Sequence, residues 1–300
     1  MAFIRVLPEV AQAIASGRPV VALESSVIAQ GLPIPANREC VVRMTAAVAA
    51  AGATSAITAV ARGVPTLGLE PDELERFLAR EHVRKVSARD VPAAVAQQAD
   101  GATTVAATLM LAHAARVPVF ATGGIGGVHR DAPFDESADL VELSRTPLVV
   151  VCAGPKAILD LPATAERLET FGVPVVGYRT SELPGFFTAE SGIPVGATAH
   201  EPGDIARMFR AHLALGRPQA MLVVQAPPAE FALPAAQVEA AVQGALAQAR
   251  TDGVRGAAVT PYLLAAVSAA TQGRSLAANL ALLEQNARLA GEIAAALANG

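Results

Sequence analysis

The chain alternates short apolar runs with longer stretches in which alanine and leucine recur among polar residues. The apolar runs are Pro19 to Leu23, Ile57 to Val60, Val117 to Ala121, Leu148 to Cys152, Val173 to Tyr178 and Met221 to Gln225. Short runs of this kind, rich in β-branched residues and without polar alternation, predict strands covered on both faces. Helical patterning occupies Cys40 to Ala51, Pro71 to Arg80, Gly101 to Ala115, Leu161 to Thr170, Pro234 to Arg250, Tyr262 to Ala270 and Ser275 to about Leu297. Pro71 suits a first helical turn, where the amide it lacks would have no partner. Ser87 with Asp90 three residues on resembles a capping box.

This strand-to-helix rhythm predicts a three-layer α/β/α fold around a central mixed or mostly parallel sheet. No linker, repeat or low-complexity tract divides residues 1–300, so one domain is expected. Residues 179 to 200, where Gly, Pro, Phe and Ser interrupt the pattern, form the main excursion.

Composition sharpens the picture. With 52% hydrophobic and 17% charged residues, nine Phe, two Tyr and no Trp, the interior must be thick and built from Ala, Val, Leu and Ile. A formal charge of −4 without a basic cluster argues against a nucleic-acid polymer as partner. No apolar run reaches the roughly 18 residues of a membrane span, so a cytoplasmic location is the expectation. Cys40 and Cys152 sit in apolar runs and read as buried free thiols, and His82, His113, His129, His200 and His212 are too scattered for a polyhistidine metal site.

Candidate chemistry gathers where apolar runs end. Only Lys85 and Lys156 among the 23 basic residues are lysine. Lys156 follows a strongly apolar run and a Gly-Pro turn, where desolvation is expected to favour the neutral amine needed to attack a carbonyl-like carbon. Arginine, always protonated, offers no such nucleophile. Glu24 ends the first apolar run beside Ser25 and Ser26, two hydroxyls suited to orienting a general acid/base. Thr122 to Gly127 holds four glycines within five positions and continues into His129-Arg130. That run reads equally as an anion cradle and as a tight turn; it lacks dinucleotide and Walker spacing. Asp131, Asp135, Glu136, Asp139 and Glu142 form an acidic group that reads as oxygen ligands for Mg²⁺ or Mn²⁺, or as a solvated loop. Lys85 with Arg84 and Arg89 is a small basic patch, and Asn279 would need a polar partner if it faced the core.

Taken together, several phrases resemble the pseudouridine-5'-phosphate glycosidase family. They are Ala22-Leu23-Glu24-Ser25-Ser26, Lys85-Val86-Ser87-Ala88-Arg89-Asp90, Gly101-Ala102-Thr103-Thr104-Val105, Thr122 to Arg130, Ser137-Ala138-Asp139-Leu140, Val151 to Asp160 around Lys156, and Ser275-Leu276-Ala277-Ala278-Asn279. The resemblance runs from about residue 8 to 297. It implies reversible cleavage of the C–C bond between uracil and ribose 5-phosphate through a lysine iminium adduct. By this resemblance Lys156 is the nucleophile and Glu24 the acid/base, and Asp135 is the protein ligand of one Mn²⁺ per subunit. Lys85, Val105, Ser137, Ala138 and Asp139 contact the sugar phosphate, and His129, Arg130 and Asn279 are further pocket residues. A homotrimer is implied, with a small-molecule substrate as the other partner. A related C-glycosidase of another sugar phosphate, or a non-catalytic sugar-phosphate-binding protein, is the alternative.

Overall fold

The computed structural model describes residues 3–130, 134–254 and 259–299. Its centre is an 11-stranded sheet. From one edge the order is Arg5–Val6, Val64–Leu67, Thr54–Ala61, Val20–Leu23, Val119–Ala121, Val149–Cys152, Met221–Val224, Val175–Tyr178 and Ala197–Ala199. Gly101–Thr103 pairs antiparallel with Thr54–Ala61 and parallel with Arg84–Val86. From Thr54–Ala61 to Ala197–Ala199 every neighbouring pair is parallel. The sheet is therefore mixed and mostly parallel, as the sequence pattern predicts.

The continuous apolar runs supply both faces. Val21, Leu23, Val119, Val149, Val151 and Val223 point into one core with the helices Ala36–Ala50, Pro202–Ala214, Ala235–Thr251, Val259–Ala270 and Arg274–Ala298. Val20, Ala22, Phe120, Val150, Leu222 and Val224 point the other way, against Pro8–Ala15, Val105–Ala114, Ala138–Leu143 and Leu161–Thr170. Successive strand residues face opposite sides, so a run without polar residues fits only a sheet sandwiched between helices. Gly291 lets the last helix lie close to Ala36–Ala50, since a Cβ there would meet the Ala51 Cβ at 2.6 Å. Among the described residues no helix is long and apolar enough to cross a membrane.

One expected helix divides. Gly101–Thr103 is a strand, and the helix begins at Val105. Gly101 is forced there by packing, because a Cβ would come within 2.6 Å of Val86. The capping box at Ser87 and Asp90 forms as expected, closing a single 3₁₀ turn.

Candidate active site

Three adjacent parallel strands, Val20–Leu23, Val119–Ala121 and Val149–Cys152, end side by side. Their C-terminal ends release Glu24, Thr122 and the loop that carries Lys156 onto the same rim, the usual place for a ligand on a parallel sheet. Glu24 is buried, and its carboxylate accepts hydrogen bonds from the hydroxyls of Ser26 and Thr122. Of the two serines expected to orient Glu24, only Ser26 does so. The Ser25 side chain turns inward, its Oγ accepting the Thr103 N–H at 2.8 Å, within a closed network of Thr58, Thr103 and Thr108 hydroxyls.

The glycine run and the Lys156 loop are laced together. Ala153 N–H donates to Gly123 O at 2.9 Å, Ile125 N–H to Gly154 O at 3.1 Å, and Lys156 N–H to Ile125 O at 3.0 Å. This resolves why the glycines are there. A Cβ on Gly124 would meet Phe186 at 2.5 Å, and one on Gly126 would meet Ser137 Oγ at 2.2 Å. Close packing therefore excludes side chains, and the Gly126 N–H is already taken by Asp139 at 2.8 Å. Phe186 has φ of 66°, a left-handed conformation unfavourable for a bulky residue. It is pinned by its N–H to Ala153 O at 3.0 Å and by edge contact with Phe187 at 4.6 Å between ring centroids.

Glu24, Ser26, Lys85, Lys156 and Thr260 line two connected lobes of one cavity. The outer lobe, about 460 Å³, also takes in Val105, His129, Asp135, Ser137, Ala138 and Asp139. The inner recess is narrower and is closed by Val27, Gln30, Phe186, Leu264 and Asn279. Neither lysine ammonium has a hydrogen bond or ion pair among the described residues. Protein crowded around Lys85 at the open cavity disfavours its charged form, and the charge of Lys156 adds to this, holding Lys85 below the ordinary lysine value. Burial likewise pushes the Cys152 thiol up to about 12 and that of Cys40 higher, in keeping with inert free thiols.

Two expected site residues have other work. Asp139 accepts N–H groups from Ala106 at 2.9 Å and Gly126 at 2.8 Å, so its carboxylate joins a helix start to the glycine run. Arg130 lies outside both lobes. Its guanidinium donates to Leu159 O at 3.0 Å and pairs with Glu239 at 2.7 Å, tying the back of the Lys156 loop to the helix Ala235–Thr251. The remaining expected residues all face the cavity.

The expected Mn²⁺ centre is corrected. Among the described residues no group of three or more His, Cys, Asp or Glu is arranged to hold a metal ion. The local bonding gives the reason. Asp139 is engaged by backbone amides, Glu136 pairs with Arg167 at 2.9 Å, and Glu142 is turned to Arg145 and Thr146. Asp135 is exposed on the outer lobe and lacks converging donors. The donor set does not fit a resident cation. Asp131, part of the acidic group, lies outside the described residues.

Sequence reasoning passed over Gln30, Thr104 and Asn286. Gln30 sits in a π-helical turn, Val27–Gly31, directly after the Glu24 phrase. Asn286 lies two turns beyond Asn279 in the last helix and donates to Thr122 O at 2.8 Å, fixing the start of the glycine run. Its spacing of seven from Asn279, which puts both on one face of the last helix, was the available signal.

The chain is similar to known proteins over nearly its whole length. Residues 9–296 match the family described as Indigoidine synthase A like protein. A pseudouridine-5'-phosphate glycosidase of Gemmatimonas aurantiaca is 64% identical, the alignment covering 99% of this chain and 97% of that protein. One of Herpetosiphon aurantiacus is 52% identical, covering 97% and 96%. Among solved structures, the prealnumycin C-glycosynthase in complex with ribulose 5-phosphate superposes with a TM-score of 0.91 at 41% identity, covering 99% and 97%. An indigoidine synthase A-like protein of Thermotoga maritima gives 0.91 at 36% identity, covering 98% and 96%.

Proposed function

The chain belongs to the Indigoidine synthase A like family, and on that premise we propose that it is a pseudouridine-5'-phosphate glycosidase. It reversibly cleaves the C–C bond of pseudouridine 5'-phosphate to uracil and ribose 5-phosphate. The observation that carries this reading is the convergence of an unpaired Lys156 amine and a buried, doubly hydrogen-bonded Glu24 on the junction between a polar lobe and a narrow recess.

The outer lobe takes the sugar phosphate. Lys85 supplies positive charge, and Ser87, Thr104 and Ser137 supply polar groups along its wall. The recess takes the base between Phe186 and Leu264, with Asn279 and Gln30 as its polar walls. C1′ then lies at the shared rim.

Glu24 delivers a proton to the ring oxygen as the C1′–O4′ bond opens, and the neutral Lys156 amine forms a bond to C1′. The attached nitrogen then gives a proton back to the Glu24 carboxylate, which passes it to uracil C5; the C1′–C5 bond breaks with its electron pair left on the base, while the nitrogen lone pair makes the C1′=N iminium. Water adds to C1′, the C–N bond breaks, and ribose 5-phosphate leaves with the amine restored. Ser26 and Thr122 suit Glu24 to this cycle, because a hydroxyl donates to a carboxylate and accepts from a carboxylic acid without moving. A homotrimeric, cytoplasmic, single-domain enzyme belongs to the same proposal, carried by the family resemblance.

Borohydride reduction in the presence of ribose 5-phosphate tests the assignment. A reduced adduct on the peptide containing Lys156, absent from Lys156→Ala, is expected. An adduct on Lys85 alone, or none with ribose 5-phosphate at saturation, would sink the role given to Lys156.

A further inference from the structure

The inner recess carries two buried acceptors without partners, Gln30 Oε1 and Asn279 Oδ1. The Gln30 amide has a defined orientation. Its nitrogen donates to Val83 O at 3.3 Å, and a carbonyl can only accept, so the oxygen is the unpaired end of an amide that lines the recess. The π-helical turn Val27–Gly31 holds it there, one residue before the glycine that ends the turn. A buried acceptor left without a donor is costly, so a ligand that supplies two N–H groups is favoured over one that supplies a single group.

That count separates two isomers. Uracil joined to ribose through C5 keeps both N1–H and N3–H. Uracil joined through N1 keeps only N3–H. We infer that Gln30, together with Asn279, makes the recess selective for a pyrimidinedione bearing two free N–H groups, and so for pseudouridine 5'-phosphate over uridine 5'-phosphate. The inference rests on the reading of the site given above and adds a specificity residue to it. Selection then lies in base recognition, upstream of bond cleavage. A site built to bond an N–H rejects a ligand lacking it more strongly than an apolar pocket rejects a misshapen one.

Equilibrium binding to the Lys156→Ala protein provides the test, since no turnover then obscures affinity. The probes are pseudouridine 5'-phosphate, uridine 5'-phosphate, 1-methylpseudouridine 5'-phosphate and ribose 5-phosphate. With Gln30 present, the first is expected to bind on the order of 10- to 100-fold more tightly than the second or third. The 1-methyl compound is C-linked but has lost one donor. Adding Gln30→Leu, or Gln30→Met as a variant closer in shape, should remove most of that preference by weakening pseudouridine 5'-phosphate alone, with ribose 5-phosphate affinity unchanged. Retained preference in both variants would overturn the inference, as would equal weakening of all four ligands. Full-strength binding of the 1-methyl compound in the presence of Gln30 would also overturn it. If Lys156→Ala binds ribose 5-phosphate but discriminates among none of the nucleotides, Gln30 has no selective role and the sugar-phosphate reading stands. If it binds none of the four, the reading of the whole site falls.

Discussion

Replacing Asp139 by asparagine separates a substrate contact from a structural clamp. The carboxylate accepts two backbone N–H groups, from Ala106 at 2.9 Å and Gly126 at 2.8 Å, and is 5% exposed. Hydrogen bonds to a charged group contribute about 1.5–3 kcal/mol each, so losing both in Asp139→Ala is expected to cost about 3–6 kcal/mol. Asparagine keeps one acceptor but turns an NH₂ toward the other N–H, giving an expected loss of about 2–4 kcal/mol. Against a total stability of about 5–15 kcal/mol, either change should lower the urea midpoint visibly. The Gly126 backbone has little room to adjust, because Ser137 already stands where a Cβ would be. The assay is urea unfolding of the full chain, followed by fluorescence and circular dichroism, beside ribose 5-phosphate affinity at low denaturant. An Asp139→Asn protein with the wild-type midpoint and a collapsed affinity would refute the clamp and return Asp139 to direct substrate contact.

Two further outcomes follow from the charges around the cavity. Lys85 is held below the ordinary lysine value by the protein crowded around it first and by Lys156 second, so its folded pKa lies below its unfolded one. Between those two values the unfolded chain binds more protons, and stability from this group rises with pH. Phosphate needs the ammonium, so ribose 5-phosphate affinity should fall as pH rises through the depressed value. In Lys156→Ala that alkaline limb should move to higher pH, and in Lys85→Ala it should vanish; calorimetric titration across pH reads both, and an unmoved limb in either variant contradicts the assignment. Arg130→Ala releases the loop carbonyl at Leu159 and the tie to Glu239. Slower trapping of the Lys156 adduct, by about 10- to 100-fold, is expected with ribose 5-phosphate affinity retained. Loss of affinity with normal trapping would mean that Arg130 touches the substrate after all.

The sheet was legible because its strands are apolar on both faces, a pattern that few alternatives share. Leu161–Thr170 and Val149–Cys152 lie where the pattern puts them, give or take one residue. Gly101–Thr103 was misread as helix because Ala and Thr are compatible with either state, and only the approach of Val86 decides. The cavity residues were legible as strand-end polar groups, yet their partners were not. Nothing in the sequence distinguishes Ser25 from Ser26, although one faces the hydroxyl network and the other Glu24. The acidic group misled for the same reason. A carboxylate taken up by backbone amides, such as Asp139, looks in sequence the same as one free to bind a cation.

The unpartnered polar atoms bring these threads together. Four buried side-chain atoms lack hydrogen bonds among the described residues: Gln30 Oε1, Thr104 Oγ1, Gln219 Oε1 and Asn279 Oδ1. Three of them line the two lobes of the Lys156 cavity, while the sheet core behind Glu24 has its hydroxyls mutually satisfied. Folding alone therefore gains nothing from those three groups, and a stability-driven sequence would have replaced them with apolar residues or paired them. They make sense as acceptors whose donors arrive with the ligand. Lys85 and Lys156 are likewise unpaired on the shared wall, and both have their backbones held, Lys85 in the strand Arg84–Val86 and Lys156 in the loop laced to the glycine run. The proposed split of roles follows from position instead: the Lys156 loop leaves the same sheet rim as Glu24, so a nucleophile there stands beside its acid/base, and the attacking atom is the one whose placement governs rate.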